Sequence, residues 1–256
     1  MIVDVNARSD LGCGPVDNED LILMGPETVR NRAASASFVV DNAGGRLLLA
    51  LADGMGGAAA GEQASEIALH RVRALTADLP DDLTPEELEL AMTTWARETH
   101  EALGRESQAD PALAGMGTTV VALLVYGGSG YRFHAGDSRL YRYRGGVLTR
   151  MTGDHSLREQ SNDPTAPANI LVNSLGGAAA SRLEFHALEG GLERHDRFLL
   201  SSDGLHDVVR ETAIAAAMSA DRETAVGTLV QLARGVGSQD NISVLIADVV
   251  RTGNAP

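Results

Sequence analysis

No lysine occurs in the 256 residues; all 21 basic side chains are arginine. That excludes Schiff-base chemistry and the lysines with which Walker-A loops and protein kinases hold ATP. Cysteine is nearly absent too. Cys13 stands alone, so no internal disulfide forms, no Cys/His group has zinc spacing, and its neighbours give no reason for a reactive thiol. Aromatic residues make up 4% of the chain and the formal net charge is −14, which leaves neither a stacking platform nor a basic stripe for nucleic acid. Long apolar runs are also missing. Segments 47–52 and 120–126 are far too short to cross a bilayer, and no basic-plus-apolar leader opens the sequence. A cytoplasmic monomer with no membrane or nucleic-acid partner is the expectation.

What is present is globular: 44% hydrophobic residues with 22% charged. A chain this long buries roughly 70–75% of its unfolded surface, so it needs no metal or disulfide merely to fold. No linker, repeat or charge run divides it, and a single domain over residues 1–256 is expected. Apolar or β-branched segments at 2–8, 21–24, 37–41 and 46–52 predict strands, with a hairpin turn at Gly44-Gly45. Two helices follow, at 62–79 and from Thr84, where Thr84-Pro85-Glu86-Glu87 supplies an N-cap, Pro at the first helical position and acids in the first turn. Trp95 on the second helix reads as core. Strands return at 118–126, 131–135, 140–144 and 147–150, and alternation of Tyr141 and Tyr143 with Arg142 and Arg144 predicts one solvated face. After a polar stretch at 161–168 come strands at 183–188 and 198–202, a helical block at 205–234 and a last strand at 242–250. The order is α+β, and packed antiparallel sheets covered by helices satisfy it.

Strands in this chain repeatedly end in an acid beside a small residue. Leu49-Ala50-Leu51-Ala52 leads into Asp53-Gly54-Met55-Gly56-Gly57, and Leu199-Leu200-Ser201-Ser202 into Asp203-Gly204. Asp240-Asn241 and Asn18-Glu19-Asp20 each stand directly before an apolar strand, and Gly136-Asp137-Ser138-Arg139 lies between two. One Asp-Gly after a strand is more often a turn than a ligand. Two such sites and a third acid 37 residues beyond the second point instead to carboxylates gathered at a sheet mouth, where their repulsion calls for a divalent cation. Three glycines in Gly54-Met55-Gly56-Gly57 cost backbone entropy and mark a close approach.

These residues, with Gly61-Glu62, Gly117-Thr118-Thr119, Asp154-His155-Ser156 and Asp240-Asn241-Ile242-Ser243, resemble the ordered motifs of the metal-dependent protein phosphatases of type 2C, in the bacterial Ser/Thr phosphatase branch. The set covers essentially the whole chain. The resemblance implies a four-layer αββα sandwich, two antiparallel β-sheets flanked by helices, around a Mn²⁺ or Mg²⁺ centre. Asp53 would bridge two ions and the Gly54 carbonyl would bind one of them; Asp203 and Asp240 would hold the other. Asp20 and Glu19 would order metal-bound water, and Asp137 with Asp203 would hold a third, weaker ion. The implied reaction is hydrolysis of phosphoserine and phosphothreonine in proteins by water activated between the ions, opposing a separate Ser/Thr kinase.

Two positions depart from the pattern. Pro15 stands where bacterial members carry a phosphate-gripping arginine, and Met55 replaces a histidine. Arg8, Arg30 and Arg32 read as solvated side chains rather than substitutes, and His155 as a hydrogen-bonder rather than a catalyst. The substrate-binding residues stay unassigned. A pseudophosphatase that binds a phosphoprotein without turnover is the alternative; a two-metal nuclease is remote for a chain this acidic.

Overall fold

The computed structural model describes residues 1–41, 44–161, 163, 165–167, 169–177 and 181–252. Of the polar stretch at 161–168, positions 162, 164 and 168 lie outside these. The chain opens with strands β1 (Ile2–Asp10), β2 (Leu21–Met24), β3 (Glu27–Val29), β4 (Ala33–Val39), β5 (Arg46–Ala52) and β6 (Gly54–Met55). Helices α1 (Ala58–Asp78) and α2 (Pro85–Ala109) follow. Then come β7 (Gly117–Thr118), β8 (Val120–Tyr126), β9 (Ser129–Ala135), β10 (Arg139–Arg144) and β11 (Val147–Arg150). A short α3 (Leu157–Ser161) precedes β12 (Leu175–Gly176), β13 (Glu184–Ala187) and β14 (Arg197–Ser201). Helices α4 (Asp203–His206), α5 (Glu211–Ala217) and α6 (Arg222–Gly235) lead to β15 (Ile242–Arg251).

Two six-stranded antiparallel sheets carry the architecture. The first runs β11-β10-β14-β15-β1-β4 and the second β13-β9-β8-β5-β2-β3; a small third sheet runs β12-β7-β6. Because both large sheets are covered on both faces, their central strands are nearly continuous apolar runs. In β8, Val120, Ala122, Leu124 and Tyr126 pack under α1 and α2, while Val121, Leu123 and Val125 face the opposite sheet. In β15, Leu245, Ala247 and Val249 point between the sheets and Ile242, Val244 and Ile246 under α5 and α6. Three apolar layers therefore separate four structural ones, the expected αββα sandwich.

Helix α2 begins as its sequence predicts, with a reciprocal cap between Thr84 and Glu87, and it buries Trp95. Four expectations change. α1 starts four residues early, at Ala58, because Gly57 (φ 89°) turns the chain into it. β4 starts at Ala33, since pairing with β1 overrides the weak strand preference of Ala and Ser. The 205–234 block breaks into α4, α5 and α6. Gly44-Gly45 closes no hairpin: β4 and β5 belong to different sheets, and a Cβ on Gly45 would lie 2.2 Å from the Asp41 carbonyl. A fifth expectation changes in part, for the arginine face of β10 is half-buried rather than fully solvated. Arg142 donates to the Glu189 carbonyl, and Arg144 pairs with Asp196.

Candidate metal centre

Strand registers bring the acids together. Leu21 pairs with Ala52, Val120 with Ala135, Arg139 with Ser201, and Asp10 with Ile242. The ends of strands from both sheets thus emerge on one side of the sandwich. The loops there carry Asp20, Asp53, Asp137, Asp203 and Asp240. A cleft of about 450 Å³ opens among them, lined by Glu19, Asp53, Gly54, Asp137, Asp203 and Asp240. Asp20 lies beneath its floor, fully buried.

Backbone and hydroxyl contacts fix each acid. The Asp53 N–H donates to Thr119 Oγ1 (3.0 Å), and the Asp53 carbonyl accepts from Thr119 N (2.9 Å) and Thr118 Oγ1 (2.9 Å). Thr119 Oγ1 also meets Ser138 Oγ at 2.7 Å, which ties the Asp53 and Asp137 loops to one strand end. Asn18 Oδ1 accepts from the Asp20 N–H, and Asn241 Oδ1 from the Glu19 N–H. Ser202 Oγ donates to Asp20 Oδ2 (2.9 Å) and accepts from the Ser243 N–H (3.0 Å), so one hydroxyl links both sheets. At Gly54, a Cβ would lie 2.1 Å from the Gly61 carbonyl; the acid loop and α1 touch with no room for a methyl group.

The electrostatics are those of an anionic cluster short of cations. Burial, then repulsion from Asp20, Asp203, Asp240 and Asp137, pushes Asp53 well above the ordinary carboxylate range. Burial, then Asp137 and Asp240, does the same to Asp203. Asp20 and Asp137 are each pushed up to about 7, burial again being the main cause. Asp20 Oδ1 and Asp203 Oδ1 are buried with no hydrogen-bond partner. Such a set of hard oxygen donors with unmet valence fits Mg²⁺ or Mn²⁺. Among the described residues no arginine lines the cleft. Arg30 is committed to the Asp20 carbonyl, Glu62, Glu66 and Ser65, Arg32 to Glu27 and the Thr28 carbonyl, and Arg8 to Asp10. Pro15 does line it.

The Asp154-His155-Ser156 motif proves structural. Asp154 takes a two-pronged bond from Arg139 (2.9 and 2.6 Å) and forms an ion pair with Arg150 (2.6 Å). His155 Nδ1 accepts from the Gly136 N–H (3.1 Å), so its proton sits on Nε2, 3.2 Å from Glu184. His134 stacks on it at 4.5 Å and donates through Nε2 to the Gly153 carbonyl. His134, His155 and Glu184 have the composition of a metal site, but both Nε2 atoms are needed as donors, so they form a hydrogen-bonded clamp instead. Burial, then the neighbouring His155, lowers His134 to about 4, consistent with a neutral ring. Neither histidine lines the cleft.

Asn169, Leu171, Ser174 and Gly177 form the far wall, at the end of the stretch after Asp154-His155-Ser156 where the family resemblance places a flap near the third metal. That wall's sequence signal is its position, between the His155 motif and β13.

Comparison with known proteins agrees with this geometry. A family model described as Protein phosphatase 2C matches residues 33–239. The serine/threonine protein phosphatase PstP of Mycobacterium tuberculosis is 34% identical over 258 residues, covering 98% of this chain and 46% of that protein, so the chain spans about half the length of that relative. The serine/threonine phosphatase stp of Listeria monocytogenes is 30% identical, over 86% of this chain and 91% of its own length. The solved catalytic domain of PstP in complex with two manganese ions superposes with a TM-score of 0.75 at 31% identity, covering 98% of this chain and all of that one. These relatives are named as phosphatases, which gives a binding-only reading no support. The chain belongs to the protein phosphatase 2C family.

Proposed function

We propose that this chain hydrolyses phosphoserine and phosphothreonine esters of proteins with the help of Mn²⁺ or Mg²⁺, opposing a separate Ser/Thr kinase, and that residues 1–256 act as one catalytic domain. The observation that carries the reading is the convergence of Asp53, Asp137, Asp203 and Asp240 on one cleft, with Asp20 beneath its floor and no cationic side chain among the described residues that line it. Asp53, with carboxylate neighbours on every side, would bridge two ions; the Gly54 carbonyl would join one of them, and Asp203 and Asp240 the other. Asp137 with Asp203 would hold a third. Asp20 and Glu19 stand behind these ligands. When bound, the ions supply Lewis-acid stabilisation of the phosphoryl group and a water acidic enough to react near neutral pH.

The chain's own residues do the rest. Thr119 and Ser202 hold Asp53 and Asp20 in place before substrate arrives, so little reorganisation is left for the reaction. With Pro15 at the rim and each nearby arginine committed elsewhere, the exposed amide of Asn169 is a neutral donor that faces the substrate, whereas Asn241 Nδ2 is spent on the Leu11 and Asp17 carbonyls and Ser174 Oγ on the Gly176 carbonyl. Among the described residues that line the cleft there is no imidazole to protonate the leaving oxygen.

The test is turnover of a phosphothreonine peptide with Mn²⁺ and then with EDTA. Hydrolysis that EDTA abolishes is expected. No turnover while calorimetry still registers bound Mn²⁺ would overturn the phosphatase reading.

A further inference from the structure

The outer edge of the first sheet is unlike the other large-sheet edges. β11 is four residues long and contains Arg150, β13 is four residues with Glu184 and His186, and β3 is three residues with Glu27. Short length and charge are the usual ways of keeping an open edge from pairing with another chain. β4 uses neither. It is seven residues, Ala33-Ala34-Ser35-Ala36-Ser37-Phe38-Val39, with no charge, proline or glycine. Among the described residues its one strand partner is β1, and Val39 is 83% exposed.

The ladder settles which backbone groups face outward. Ser9 N–H donates to the Arg32 carbonyl and Val40 N–H to the Met1 carbonyl. In an antiparallel pair, hydrogen-bonded positions alternate. Ala34, Ala36 and Phe38 therefore spend their N–H and C=O groups on β1, while Ala33, Ser35, Ser37 and Val39 turn theirs away from it. The side chains of those same four residues are exposed.

We infer that β4 pairs antiparallel with β4 of a second copy of this chain, about a two-fold axis at Ala36. That register sets Ser35 opposite Ser37, Ala33 opposite Val39 and Ala34 opposite Phe38. Outward-facing residues meet outward-facing residues, so both ladders close without a slip. Each larger side chain faces alanine, and the serines face each other, a favourable cross-strand pair. The contact is isologous, and it closes as a dimer rather than propagating. Its charge-free strand also suits a chain of net charge −14, since the two copies meet where neither brings an acid in the strand itself. Two seven-residue strands make a contact at the small end of specific interfaces, so the dimer is weak.

Sedimentation velocity on the full chain, from about 5 µM to about 1 mM, tests this. A reversible monomer–dimer equilibrium is expected. Ser35→Lys with Ser37→Lys places lysine against lysine across the axis and should raise Kd at least about tenfold. Ser35→Lys with Ser37→Glu places lysine against glutamate twice and should restore the dimer. Far-UV circular dichroism and phosphopeptide turnover, unchanged in both variants, show that the fold survives. A wild type that stays monomeric throughout overturns the inference and leaves the edge for a strand of another protein. So does a dimer indifferent to the double lysine, or one that the lysine–glutamate variant does not recover.

Discussion

Asp20 and Asp196 are both sealed from water, at 0% and 1% exposure, and the chain treats them in opposite ways. Asp196 sits at the far end of the sandwich, just before β14. Arg144 grips both its oxygens, at 2.5 and 2.6 Å, and the Glu193 N–H adds a third bond. Nearby Asp248 is held by two prongs of Arg197 and one of Arg222. Asp20, at the cleft end, has a serine hydroxyl on one oxygen, nothing on the other, and Asp53 and Asp240 for neighbours. Burying an ionised carboxylate without a cation is costly. One end of the sandwich meets that cost with its own arginines; the other is complete only when a cation arrives from outside.

Removing a carboxylate should therefore do opposite damage at the two ends. Asp53→Ala is expected to cut kcat for a phosphothreonine peptide by well over about 100-fold, beyond the usual loss from outer-shell changes at metal sites, while the metal-free protein melts no lower than wild type. Steady-state kinetics and calorimetric melting check both halves. Asp196→Ala should reverse the pattern. It takes from Arg144 its two-pronged partner, leaving Glu193 and the Gly191 carbonyl, and should cost about 2 kcal/mol in urea unfolding, with turnover per folded molecule unchanged.

The comparison sharpens with pH. Asp20 and Asp137, raised to about 7 in the folded chain, bind more protons folded than unfolded between about pH 4 and pH 7. Their contribution is fully present below the unfolded pKa and is lost as pH rises through the folded one. Melting of EDTA-treated protein should accordingly fall across that window, and saturating Mn²⁺ should flatten the fall; a metal-free midpoint that rises with pH would contradict the picture. The smallest effect is expected at Arg30, whose guanidinium is committed to α1. Arg30→Met should lower stability by about 1 kcal/mol and leave KM for the phosphopeptide unchanged, as measured by melting and by initial rates.

Much of the site was legible because strands announce their ends. Asp53 and Asp203 each follow an apolar run that only a buried strand explains, and a glycine follows each. The far wall was less legible: Asn169 and Ser174 flank, and Leu171 sits within, a short apolar run, Ile170-Leu171-Val172, that has neither a strand's alternation nor a helix's period, and Leu171 is held by an isolated bridge to Ser156. β4 was half hidden for a similar reason. Ala and Ser alternate without apolar contrast, so the strand shows itself only through its pairing with β1. Arg144 misled because a long, charged side chain beside a tyrosine looks solvated until its buried partner, 52 residues on, is in view.

β1 lies between β15 and β4, and residues 2–10 pair with residues 242–251. Asp240 precedes that last strand directly. Asp240 therefore joins Asp20, Asp53 and Asp137 only when strands from the two ends of the described sandwich lie side by side, so the metal centre is assembled by long-range pairing or not at all.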